Sequence, residues 1–178
     1  GARFVFMNLE GLTSESLSKG IDESLLTLED RWILSRLHRT VKSVTAALES
    51  YAFDTATTTA YEFYWNEFCA YYVEIIKPVL FQKTGTPALK ENKQKLALVI
   101  LLQSIRLLHP MAPFITEELF QNLKARFANL QLSKEPLLKE AIDALSSPSC
   151  IVAPFPTALS KEDTVAESHF EILSKILF

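Results

Sequence analysis

Few side chains in this chain have the type and spacing for bond-making chemistry. His38, His109 and His169 lie far apart, with no metal-ligand spacing to one another or to Cys69 and Cys150. A Cys69–His109 nucleophile pair would need two helices to bring it together, and both residues read more simply as core or turn positions. Glu62, Glu67 and Glu74 resemble paired carboxylates, but they recur along an aromatic, helix-like stretch. Their expected role is to satisfy Arg106, the basic residue deep in the apolar segment 93–109, because a buried charge needs a counter-charge. There is no Gly-x-Gly-x-x-Gly, no phosphate-binding Gly-Lys-Ser/Thr and no His-Glu-x-x-His. The expectation is therefore no catalytic, cofactor-binding or metal site.

The cations are more informative, and their placement depends on the helices that carry them. Residues 1–8 read as the last turns of a helix, and 9–27 as a polar loop with Gly11 and Gly20. Thr27 is the expected N-cap of a long helix over 28–51, with Asp30 at its third position, where negative charge favours a helix start. Its apolar stripe is Leu34, Leu37, Val41, Val44, Leu48 and Tyr51, in steps of three and four. Arg36 and Arg39 fall on the opposite, exposed side. A corner at 51–54 leads into the aromatic stretch 61–81, whose repeat at Ala60, Tyr64, Phe68, Tyr71 and Ile75 predicts a helix buried on several sides. Trp65, Phe68 and Tyr71 are expected mostly inside, as the central post, and Pro78 should end or kink the helix within a turn.

Residues 82–92 read as a loop marked by Gly85 and Pro87, and 93–109 as a buried helix stopped by Pro110. Pro113 opens the next helix, 113–126, and Phe114 and Leu119 are expected to pack back on the core. A weakly amphipathic segment covers 134–145. Residues 150–156 read as extended, since Pro154 and Pro156 exclude a helix, and a last helix starts near Thr164.

Short connections require the three long helices to run up, down and up. One end of the bundle then gathers Arg31, Arg36, Arg39, Lys77, Lys83, Lys90, Lys93 and Lys95, eight of the 18 Lys and Arg, against Glu29, Asp30, Glu74 and Glu91. This is either a solvated charged rim or an anion-binding tip that favours phosphate. The net charge of −3 argues against a generic polyanion binder. A hydrophobic content of 48% with 22% charged residues fits a globular core. No apolar run reaches the roughly 20 residues of a membrane span, so no membrane association is expected. The start has no signal-peptide layout, and Gly1 in place of Met predicts a piece of a longer chain. Two widely spaced cysteines predict free thiols and a cytoplasmic setting.

Four segments sharpen this picture: LEDRWILSRL from Leu28, YEFYWNEFCAYYVEIIKP from Tyr61, LHPMAPFITEELFQNL from Leu108 and SCIVAPFP from Ser149. In this order and spacing they resemble the anticodon-binding helical bundle of class I aminoacyl-tRNA synthetases. The block from His109 to Leu119 is shared by the valine, isoleucine and leucine enzymes. The run from Trp65 to Pro78 and the segment 152–156 favour the valine branch, and Phe120 stands where the family often has Trp.

The resemblance implies an all-α, up-down helix bundle with a small C-terminal appendage. It divides the chain into a bundle (1–127), a partly helical connection (128–149) with no assigned role, and an extended segment with a truncated helix (150–178). It implies a valine tRNA as partner, gripped at the anticodon stem-loop, and a catalytic domain elsewhere in the same chain. ATP would be a cofactor of the full-length enzyme and not of this piece, which would be a monomer and would not form aminoacyl-adenylate alone. The geometry of the basic end puts Arg36 and Arg39 first as tRNA contacts, with Arg31, Lys77, Lys83, Lys90, Lys93 and Lys95 behind them. The isoleucine or leucine enzyme, and a protein-interaction bundle with no RNA role, are the alternatives.

Overall fold

The computed structural model describes residues 2–128 and 134–177, with backbone only at 176 and 177. All regular structure among these residues is helical. A short α1 (Ala2–Asn8) leads into a loop that holds α2 (Ser14–Ser18) and a 3-10 turn (Glu23–Leu25), so 9–27 is more ordered than a plain loop. Helix α3 (Leu28–Glu49) starts where the capping signal predicts. The Thr27 N–H and Oγ1 both donate to Asp30 Oδ2, at 3.0 and 2.9 Å.

Helix α3 ends in a paired-bond cap around Tyr51, which has φ 60°. Tyr51 N–H donates to Leu48 O at 3.1 Å and Ala52 N–H to Ala47 O at 2.8 Å. Gln82, with φ 54°, ends the aromatic helix in the same way, through Val79 O at 3.0 Å and Pro78 O at 2.9 Å. Glycine usually holds this left-handed position.

The aromatic stretch is one continuous rod of three pieces: α4 (Phe53–Glu62), a π-helical segment (Phe63–Tyr72) and α5 (Val73–Leu80). In the middle piece the bonds run i→i+5, as from Val73 N–H to Phe68 O, and the turn widens. The inward face therefore moves to Phe63, Phe68, Tyr72 and Ile76, all buried. This corrects the expectation for Trp65, which is 54% exposed and stacks on the equally exposed Tyr61 at 6.3 Å. Tyr71 is half-buried, and Pro78 ends the rod two residues on.

Helix α6 (Pro87–Leu108) is the true central post, since every residue from 92 to 107 is buried. It begins six residues before the expected start at 93: Thr86 accepts from Leu89 N–H and Pro87 fills the first position, so that proline opens the helix. The polar residues at its buried start clamp the irregular chain around 8–22. Asn92 exchanges two hydrogen bonds with the Asp22 backbone, at 2.8 and 3.0 Å, and Gln94 donates to Asn8 O and Glu10 O at 2.7 and 2.9 Å.

Helix α7 (Pro113–Phe127) follows, but Phe114 is 91% exposed instead of packing back, whereas Leu119 touches the core. Helix α8 (Pro136–Asp143) packs on α6 and supplies the partner that Glu62, Glu67 and Glu74 do not. Glu140 takes Arg106 in two bonds of 2.8 Å, and Arg106 also donates to Pro154 O at 2.9 Å. Cys150–Val152 is a 3-10 turn before the extended run, and α9 (Thr164–Leu177) lies along α3. Its Phe170 ring stacks flat on Trp32, with centroids 3.7 Å apart.

Candidate nucleic-acid interface

The basic residues of the bundle end fall into three environments, although the helix starts do meet as expected. Lys93 is the most enclosed, with its side chain 1% exposed. Its Nζ donates to Asp30 Oδ1 and Oδ2 and to Glu29 Oε1, each at 2.8 Å, and to Thr27 Oγ1. Asp30 is fully buried, and Tyr72 Oη donates to its Oδ1 at 2.8 Å. Burial opposes ionisation of Glu29, but Lys93 and the hydrogen bonds around it hold its carboxyl below the usual value. Burial, then the Asp30 charge, pushes the Tyr72 phenol well above its usual range. Lys95 is also buried, donating to Gly20 O at 2.8 Å and pairing with Glu91 at 2.7 Å. Neither lysine stands on the surface where the spacing argument put it. Lys93 ties α6 to the start of α3, and Lys95 ties α6 to the 9–27 segment.

The α3 row is the second environment. Arg36 and Arg39 do not stand on a bare solvent face, because α9 packs along that flank and leaves them partly covered. Arg36 Nε and Nη2 donate to the two oxygens of Glu67 at 2.8 and 2.7 Å, a bidentate fork, and its Nη1 lies 3.9 Å from Glu167. Those hydrogen bonds hold the Arg36 guanidinium pKa above its ordinary value, against partial desolvation. Arg39 reaches Glu162 at 3.5 Å, and its Nε sits 3.2 Å from Glu167 without aligning as a hydrogen bond. Arg31 donates twice to Asp163 Oδ2, at 2.8 and 2.6 Å. The Asp163 carboxyl is held below its usual value, first by the Ala166 N–H and then by Arg31.

Arg36 and Arg39 line one open cleft of about 420 Å³ between α3, the π-helical segment and α9. Trp32, Tyr71 and Phe170 supply its aromatic walls, and Glu67 and Glu167 its acids. The arginine side chains keep 36% and 40% exposure. Trp32 and Phe170 are buried and stacked on each other, so the cleft offers guanidinium donors beside the half-buried Tyr71 ring, which suits a planar, hydrogen-bonding group such as an unpaired base.

The third group is at the surface. Lys77 pairs with Glu74 and lies 5.1 Å over the Phe4 ring. Lys83 is exposed on the turn after α5, and Lys90 is half-buried on the first turn of α6. Sequence reasoning missed the acids Glu162, Asp163 and Glu167 that face the α3 cations, although the run KEDTVAE from Lys161 to Glu167 carries them openly. It also missed the Trp32–Phe170 stack, which needs a contact across 138 positions (170 − 32).

The family described as the anticodon-binding domain of tRNA ligase matches residues 30–177. The chain is 52% identical over 188 aligned positions to a valine–tRNA ligase of Protochlamydia amoebophila, covering all of this chain and 20% of that protein. It is 44% identical to the Chlamydia caviae valine–tRNA ligase, over 89% of this chain and 17% of that one. The Chlamydia trachomatis serovar L2 enzyme is 39% identical, over 88% and 17%. The chain spans about a fifth of the length of these curated relatives.

Proposed function

The chain belongs to the family of anticodon-binding domains of tRNA ligases, and we propose that it binds a valine-accepting tRNA as the RNA-holding part of a longer valine–tRNA ligase. The observation that carries this reading is the whole-chain similarity to a valine–tRNA ligase, at 52% identity. The cleft under α9 supplies the chemistry. Arg36 and Arg39 contact the anticodon loop there, with the half-buried Tyr71 as the ring beside them that a base can reach. Lys83, Lys90 and Lys77 hold backbone phosphate near the start of α6, and Arg31 borders the arginine pair. Lys93 and Lys95 are framework: Lys93 sets where α3 stands, and Lys95 holds the 9–27 segment.

The domain makes no bond. Its contribution is orientation: binding energy spent at the anticodon fixes the acceptor end for a reaction elsewhere in the same chain, where ATP would be used. We place this activity in the cytoplasm and in a monomer. The free thiols Cys69 and Cys150 fit a reducing compartment, and no described helix is long and apolar enough to cross a membrane.

The test titrates this chain with a fluorescently labelled valine tRNA transcript and with the same transcript carrying a different anticodon. The reading predicts tighter binding to the first, weakening as salt rises. Equal affinity for both transcripts would overturn it.

A further inference from the structure

Every cation along the outer flank of α3 meets an acid from one short segment before and inside α9. Arg31 meets Asp163 at 2.6 Å, Arg39 meets Glu162 and Glu167 at 3.5 and 3.2 Å, and Arg36, held chiefly by Glu67 at 2.7 Å, lies 3.9 Å from Glu167. Lys42, one turn further along, meets Glu162 at 3.5 Å. Four cations in a row on one helix flank are otherwise a track for a phosphate backbone. Here three carboxylates occupy that track.

The segment is fixed in place. Asp163 N–H donates to Ser35 Oγ at 2.8 Å, Ser35 Oγ donates to Glu167, and Ser160 Oγ donates to Leu34 O at 2.9 Å. Asp163 Oδ1 caps α9 by accepting from Ala166 N–H at 2.9 Å, and Ala166 and Phe170 are buried against the bundle. A segment held by this many contacts stays when a ligand arrives, and so acts as a standing feature of the surface.

We infer that Glu162, Asp163 and Glu167 form a charge filter: an internal stand-in for phosphate that neutralises the α3 cation row, so that RNA is not captured there through its backbone. This rests on the proposed tRNA reading and adds specificity determinants to it. A neutralised guanidinium still donates hydrogen bonds and still stacks, so the cleft keeps its means of reading a base. What it loses is the sequence-independent attraction that every RNA shares. Removing the acids should therefore strengthen binding to the wrong RNA more than to the right one.

The experiment measures binding of this chain to valine tRNA and to an unrelated single-stranded RNA, from low to high salt. The variants are Glu162→Gln alone and the triple Glu162→Gln, Asp163→Asn, Glu167→Gln. Asparagine keeps the cap on α9, and the half-exposed Glu162 makes the single variant safe for folding. The filter predicts that the unrelated RNA binds the triple variant about tenfold tighter at low salt, with a salt slope steeper by roughly 0.7 for each phosphate newly held. Valine tRNA should gain less, so the ratio between the two RNAs falls, and the single variant should move the same way by a smaller amount. Unchanged or weaker binding of the unrelated RNA to both variants, with the unaltered chain still binding valine tRNA, overturns the filter alone. If the unaltered chain binds no tRNA at low salt, the proposed function falls as well.

Discussion

The same pairing of cation and carboxylate occurs twice at this end of the bundle, with opposite consequences. In the knot around Lys93 the lysine and Asp30 are sealed from water, each oxygen of Asp30 is bonded, and three helices converge. In the seam between α3 and α9, Arg36 and Arg39 are equally well supplied with acids but line an open cleft. Burial, and not charge, separates a framework pair from one whose cation can still reach a ligand. Removing one member of a sealed pair strands a charge in low dielectric, whereas the seam can re-form contacts with water.

The largest expected effect is therefore at the knot. Lys93→Met keeps an unbranched apolar stem but removes the ammonium and leaves Asp30 uncompensated; urea unfolding should show a loss of roughly 3–5 kcal/mol. A loss comparable to that of an exposed pair would break the contrast. At the seam, Phe170→Ala removes the ring stacked on Trp32 and should cost about 3 kcal/mol of α9 docking. Trp32 fluorescence should change while the rest of the bundle unfolds at an unaltered midpoint; one joint transition at lower denaturant would show that α9 is part of the same cooperative unit.

How much of this contrast the sequence holds can be judged from particular residues. The Thr27–Asp30 start of α3, the Pro113 start of α7 and the α9 start near Thr164 follow from local signals, and all three stand where those signals put them. So does the meeting of the helix starts at the basic end, which needs only short connections. The depth of Lys93 and Lys95 is different, because it comes from tertiary partners: Asp30 and Glu29 of α3 around Lys93, and Gly20 of the 9–27 segment over Lys95. The widened turn at 63–72 is also invisible to a count of 3.6 residues per turn, and it moves Trp65 outward and Tyr72 inward. The cover over Arg36 and Arg39 comes from residues about 130 positions away, and no local pattern announces it.

Smaller effects sharpen the comparison. Tyr72→Phe removes the phenol donor to Asp30 but leaves the Lys93 bonds, so it should cost about 1 kcal/mol in the same unfolding assay. Asp163 supplies a pH test of the seam. Its folded pKa lies below the ordinary 3.8, so its contribution is complete above that value and is lost as pH falls through the lower, folded one. Trp32 fluorescence should accordingly report α9 loosening only below about pH 4, and Asp163→Asn should shrink that acid step, leaving the part due to Glu162 and Glu167. Gln82→Gly relieves a left-handed residue and should raise stability by about 0.5–1 kcal/mol, without touching RNA binding.

The central claim is that the seam, and not the knot, meets the RNA. It is tested most directly by the affinity of the chain for valine tRNA when Arg36→Ala and Arg39→Ala are combined. The account predicts binding weakened by about tenfold or more, with helix content and the bundle's unfolding midpoint retained. Affinity and salt dependence equal to those of the unaltered chain would place the RNA on another surface of the bundle.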